Sequence, residues 1–293
     1  NKHWKLLYNF TTMGCQCGKS NTVEVPEAPK PGKVKVSQDV VQKKVAQAKN
    51  TRVLALRECG LKTIPEGALG AEAANLRTID LASNQLKALP PSIANWSSLQ
   101  SLSCGNNAIT ELPGSIKGLV SLQKLTLSSN KLSTLPLEIS MLGKVKVIEL
   151  DQNLLGPKLP EEIFSGPVSE NLEELCLTNN RLEELPASIS ALSKLVRLLV
   201  SKNRLTALPP DLGQLSKLQH LDAAENALTS VPEPIIACPS LNELWLKGNP
   251  IDRLKLQAMP GFENFLERRK QRLDARIGSN VVGRVDLTVC GLD

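Results

Sequence analysis

Eight asparagines recur along this chain at a nearly fixed interval, each closing a run of aliphatic residues spaced L-x-x-L-x-L or close to it. They are Asn84, Asn107, Asn130, Asn153, Asn180, Asn203, Asn226 and Asn249, separated by 23, 23, 23, 27, 23, 23 and 23 residues. Cys59 takes the same place in an earlier, degenerate unit, VLALRECGL, so about nine units run between about residues 51 and 251. A period of this length marks a solenoid, in which each unit buries its apolar face only against its neighbours.

The unit has its own physical logic. The L-x-L core predicts a short strand whose leucines point inward while the intervening residues point out. Each strand pairs in parallel with the next at a spacing of roughly 4.8 Å. The Leu-Pro step ends the inward segment, since proline fixes its own φ and has no N–H for a ladder. Ile93, or Ile116 with Leu119, then lays a short helical turn on the opposite side. Helical segments need roughly 8–10 Å between axes, so the stack must curve. The expected fold is an α/β horseshoe with a parallel concave sheet. Each asparagine amide donates and accepts at once, which suits it to satisfy backbone groups where the chain turns.

Written out, the unit is L-x-x-L-x-L-x-x-N-x-L-x-x-L-P-x-x-I-x-x-L, as in Leu122, Leu125, Leu127, Asn130, Leu132, Leu135 and Pro136. In this pattern the chain resembles the intracellular, Ras-suppressor-type class of leucine-rich-repeat proteins, from about Ala46 to Arg276. The more specific segments are AQAKNTRVLALRECGLKTIP, NLRTIDLASNQLKALP and GFENFLERRKQ. The resemblance implies a non-enzymatic protein-interaction scaffold in intracellular signalling. Its partner class by analogy is a small-GTPase pathway component or a phosphatase.

Composition narrows the chemistry. The net charge of +6 is modest, and its excess sits in two flanks without interleaved aromatics, so no nucleic-acid partner is expected. Seven cysteines are scattered with no paired cluster at either end of the repeats, which points to a reduced, cytoplasmic setting. The sequons at Asn9 and Asn95 then read as chance matches. With His3 and His220 the only histidines and no paired cysteine spacing, neither a metal, another cofactor nor catalysis on a small-molecule substrate is expected.

A solenoid needs caps over its open ends. Residues 37–50 read as an amino-terminal cap helix opened by Ser37, with Val41, Val45 and Ala48 on one face. Residues 252–277 read as a carboxy-terminal cap helix. There Phe262, Phe265, Leu266 and Leu273 cover the last repeat while the arginines face water. Residues 278–293 form a tail. The 27-residue unit carries extra residues from Gly156 to Asn171, where Gly and Pro mark a loop.

Residues 1–36 read as a leader. Met13 is followed by GCQCGKS, which makes Gly14 an N-myristoylation candidate, with Cys15 and Cys17 as palmitoylation candidates beside it. Gly18 stands where such signals favour Ser or Thr. Two acyl chains anchor stably where one is marginal, which would hold the protein on the cytoplasmic face of the plasma membrane. The same residues echo a phosphate loop, but the glycines are one residue too close and no helix can follow in NTVEVPEAP.

The register also predicts a binding face. Trp245, Leu199, Arg197 and His220 fall on its outward columns, a composition typical of interface hot spots. Glu149, Asp151 and Glu174 form an acidic centre beside them. The expectation is a protein partner gripped on the concave sheet. The alternatives are a structural or assembly subunit without a switchable site, and the sensing fragment of a larger immune receptor.

Overall fold

The computed structural model describes residues 38–65 and 74–278. Gly14, Cys15, Cys17, Ser37 and the tail beyond Gly278 lie outside them, as does the side chain of Leu273.

Among the described residues, nine three-residue strands form one parallel sheet in sequence order. They are β1 (Val53–Ala55), β2 (Thr78–Asp80), β3 (Ser101–Ser103), β4 (Lys124–Thr126), β5 (Val147–Glu149), β6 (Glu174–Cys176), β7 (Arg197–Leu199), β8 (His220–Asp222) and β9 (Glu243–Trp245). Every central residue is buried and every flanking one is at least partly exposed, as period-two alternation requires. The aliphatic residues form a single continuous core along the stack.

Opposite the sheet run short 3-10 turns, among them Pro91–Asn95, Gly114–Gly118, Leu137–Met141, Ala187–Ala191 and Pro210–Gln214. The proline ahead of each holds an extended conformation, as Pro113 does at φ −72° and ψ 144°. Ile93, Ile116, Ile139, Ile189 and Leu212 point from these turns into the core. The turns stack closely: a Cβ at Gly118 would lie 2.6 Å from the Ala94 backbone, so that position takes only glycine without displacement.

The asparagines form the expected ladder. Asn130 is 7% exposed. Its Nδ2 donates to the carbonyls of Cys104 at 3.0 Å and Leu127 at 2.9 Å, and its Oδ1 accepts from the Ile109 N–H at 3.0 Å. One side chain therefore ties its own turn to the preceding repeat. Cys59 lacks the amide: its Sγ donates to the Arg57 carbonyl at 3.4 Å and accepts from Lys44 Nζ at 3.6 Å, while its N–H donates to Asn84 Oδ1 at 3.1 Å.

A second repeating feature escaped the sequence reading. The residue before each ladder position is left-handed: Glu58, Ser83, Asn106, Ser129, Gln152, Asn179, Lys202 and Glu225 have φ between 53° and 57°, and Gly248 has 77°. This conformation costs an L-residue about 1–2 kcal/mol. The ladder hydrogen bonds that follow hold it in place.

Helix α1 (Gln38–Thr51) forms the amino-terminal cap and buries Val41, Val45 and Ala48, as expected. The carboxy-terminal cap departs from the single helix expected over 252–277. Asp252 caps a short helix (after α2, Glu233–Ala237, this is α3, Arg253–Gln257) by accepting from the Leu254 and Lys255 N–H groups. The chain then breaks at Gly261, with φ 82°, before α4 (Phe262–Gly278). Phe262 and Phe265 are buried and Leu266 packs against the core. Arg268, expected to face water, turns inward. Its guanidinium donates to the carbonyls of Ile236 at 3.1 Å and Cys238 at 3.0 Å, where no further repeat follows to cover the turn.

The segment from Gly156 to Asn171 is not a plain loop. It folds into two 3-10 turns, Glu161–Phe164 and Pro167–Glu170. Leu159, Ile163, Phe164 and Val168 join the core. The extra residues are absorbed because they carry apolar side chains at the spacing of one more turn.

Candidate functional site

The exposed side of the sheet presents three outward columns of side chains, set by the strand register. Arg197, His220 and Glu243 are neighbours in the first column, and Leu199, Asp222 and Trp245 in the second. The four residues expected to form a hot spot therefore share three adjacent strands on one face. Trp245 remains partly exposed despite the nearby cap. Leu199 lies two strands from it, with Asp222 between.

The polar members are held by one another. His220 Nδ1 lies 2.6 Å from Glu243 Oε2. Arg197 Nη1 lies 3.8 Å from Glu174 Oε1. These cross-strand pairs are partly exposed and each contributes well under 1 kcal/mol to stability, but they fix side-chain directions. The acidic centre is more divided than its residue types imply. Glu149 accepts from Lys124 Nζ and from Thr126 Oγ1, each at 2.8 Å. Asp151 accepts only from the Ser128 hydroxyl among the described residues. Glu149 and Glu174 thus meet cations of this chain, and Asp151 meets none among the described residues.

Cys176 stands in the second column between Glu149 and Leu199. Burial pushes its thiol up to about 11, opposed by hydrogen bonding from Thr178. Cys104 takes a core leucine's place, and burial, with the charge of Asp80, raises its thiol still further above the ordinary range. Neither is poised as a nucleophile. Among the described residues no group of three or more His, Cys, Asp and Glu side chains is placed to hold a metal. No described helix is long and apolar enough to cross a membrane.

Two residues of the face were passed over from sequence. Asp222 accepts from Ser201 Oγ at 2.8 Å and from the Ala224 N–H at 3.1 Å. Glu243 supplies the carboxylate that orients His220. Pairing carboxylates with bases by register, one repeat to the next, would have found Glu243 and left Asp222 without a base.

Comparison with known proteins agrees with this geometry. A family model described as leucine rich repeat matches residues 74–132 and 193–251, and a second of the same description matches residues 171–192. No curated protein matches the chain. Among solved structures, it is similar to the LRR ectodomain of the plant membrane receptor kinase GASSHO1/SCHENGEN3 from Arabidopsis thaliana, in complex with CASPARIAN STRIP INTEGRITY FACTOR 2. The identity there is 35% over 64% of this chain and 23% of that one, with a TM-score of 0.58. It is also similar to a chain of the PEPR1–AtPEP1 crystal structure, at 33% identity over 60% of this chain and 25% of that one, with a TM-score of 0.55. This chain spans about a quarter of the length of either. Repeat, register and structural neighbours agree: the chain is a leucine-rich-repeat solenoid.

Proposed function

We propose that this chain is a non-enzymatic scaffold that docks a protein partner on the exposed sheet face of β7–β9. One observation carries the reading. Trp245 and Leu199 stand in one outward column, flanked by cross-strand pairs that hold Arg197 and His220 in place. Aromatic anchors beside ordered polar groups dominate interface energetics. The solved neighbour captured in complex with CASPARIAN STRIP INTEGRITY FACTOR 2 supports a protein or peptide ligand.

Co-purification from native cells tests the reading. A Trp245→Ala/Arg197→Ala pair should lose the partners that the wild-type chain retains, and an unchanged set would refute it. By family resemblance, the partner belongs to intracellular signalling, in a small-GTPase pathway or as a phosphatase. Acylation at Gly14, with Cys15 and Cys17, would place the encounter at the cytoplasmic face of the plasma membrane. Cell fractionation of Gly14→Ala tests that part separately: the variant should leave the membrane fraction.

A second reading, the sensing part of a larger receptor, draws on the same neighbours, since the chain spans about a quarter of each. The intact mass of the native protein separates the two.

A further inference from the structure

The carboxylates of the exposed face differ in what they meet. Asp80, Glu149, Glu174 and Glu243 each meet a basic side chain, from Arg57, Lys124, Arg197 and His220 respectively. Among the described residues, Asp151 and Asp222 meet only hydroxyl or backbone N–H donors. Of these two, only Asp222 has an aromatic partner in register, Trp245 on the next strand.

The molecule supplies its own template for what such an aspartate binds. Asp80 and Asp222 occupy the same position in their repeats. Both turn Oδ1 to the N–H two residues on, from Ala82 at 3.0 Å and from Ala224 at 3.1 Å. At Asp80 the remaining oxygen, Oδ2, receives Arg57 Nε at 3.0 Å from the third column of the preceding strand. At Asp222 that column holds Ser201, buried at 6% exposure, whose short hydroxyl donates to Oδ2 at 2.8 Å and supplies no charge. A carboxylate oxygen accepts more than one hydrogen bond, so the serine does not exhaust it.

Resting on the docking face proposed above, we infer that the partner inserts an arginine between Asp222 and Trp245. Its guanidinium meets the Asp222 carboxylate as Arg57 meets that of Asp80, but from the side of the next strand, where it lies against the indole of Trp245. The two contacts reinforce each other: a planar cation gains from a carboxylate at its edge and from an aromatic ring at its face. A lysine fits less well, because a point charge cannot meet both in one plane. Charge also favours a cation here, since Asp222 is the carboxylate of β7–β9 that no cation of the described residues neutralises.

Short random peptides displayed on phage and selected against the full chain test this. Selected peptides should share an arginine, and replacing it by citrulline or lysine should weaken binding about tenfold or more. Asp222→Asn should weaken binding as much, while Asp80→Asn, at the same position of an earlier repeat, leaves it unchanged. Asp222→Asn keeps an oxygen for the Ala224 N–H, so its melting curve should match the wild type. Peptides that need Trp245 but carry no arginine, or ignore Asp222→Asn, overturn the inference and leave the docking face standing. Peptides indifferent to Trp245→Ala as well, or no selected peptide at all, overturn the docking face with it.

Discussion

Strands β1–β3 and β7–β9 are built alike and present different surfaces. Both keep the same register, buried central residues, an amide or its substitute at the turn and a left-handed residue before it. Outward, β2 and β3 show Thr78, Asp80, Ser101 and Ser103, with Gly105 beyond. The other end shows Arg197, Leu199, His220, Asp222, Glu243 and Trp245. The scaffold therefore leaves the outward columns free to vary, and large and charged side chains accumulate at the β7–β9 end. Asp80 and Asp222 make the point in miniature: one is satisfied within the chain, the other only in part.

The strongest challenge to this equivalence is to remove the ladder at both ends. Asn84→Ala and Asn226→Ala each strip an amide that donates to carbonyls of two repeats and accepts a backbone N–H. Each should cost about 2–3 kcal/mol in chemical denaturation, with Asn130→Ala at least as much. One end insensitive to its substitution would show that the two ends are not the same scaffold. Next comes the outward face, where Trp245→Ala should weaken partner binding about 30-fold without shifting the melting point, whereas Thr78→Ala should change neither. Equal binding losses would spread the interface over the whole sheet.

A smaller effect probes the left-handed turn. Ser83→Gly and Glu225→Gly should each stabilise the fold by up to about 1 kcal/mol, because glycine adopts that conformation freely. Destabilisation at one site alone would mean its side chain holds the turn. The smallest concerns thiols and is read as a rate. Because Cys176 ionises only near pH 11, its alkylation should stay slow at pH 8 and rise with pH through that value. Cys104, raised further by burial, should lag behind it. Rapid alkylation of Cys176 at pH 8 would contradict its packing.

Much of this was legible before any coordinates. The asparagine spacing predicted the strands, their parallel order and which residues face outward, because a short period-two strand leaves little freedom of register. Trp245, Leu199, Arg197 and His220 came together for that reason. The left-handed residues were not legible, since Glu58, Ser83, Gln152 and Lys202 share no chemistry; the hydrogen bonds after them impose the conformation. Nor was the inward turn of Arg268, which depends on carbonyls left bare about 30 residues earlier.

The chain's own order of residues determined the repeat, the strand register and the division into buried and outward columns, since these follow from local spacing and the need to bury leucine. The tertiary structure alone decided which outward charges find partners, how the 156–171 segment joins the core and that Asp222 meets a hydroxyl and a backbone N–H beside Trp245. Those outcomes depend on side chains more than twenty residues apart meeting across neighbouring repeats. Local pattern carries no record of which of them reach each other.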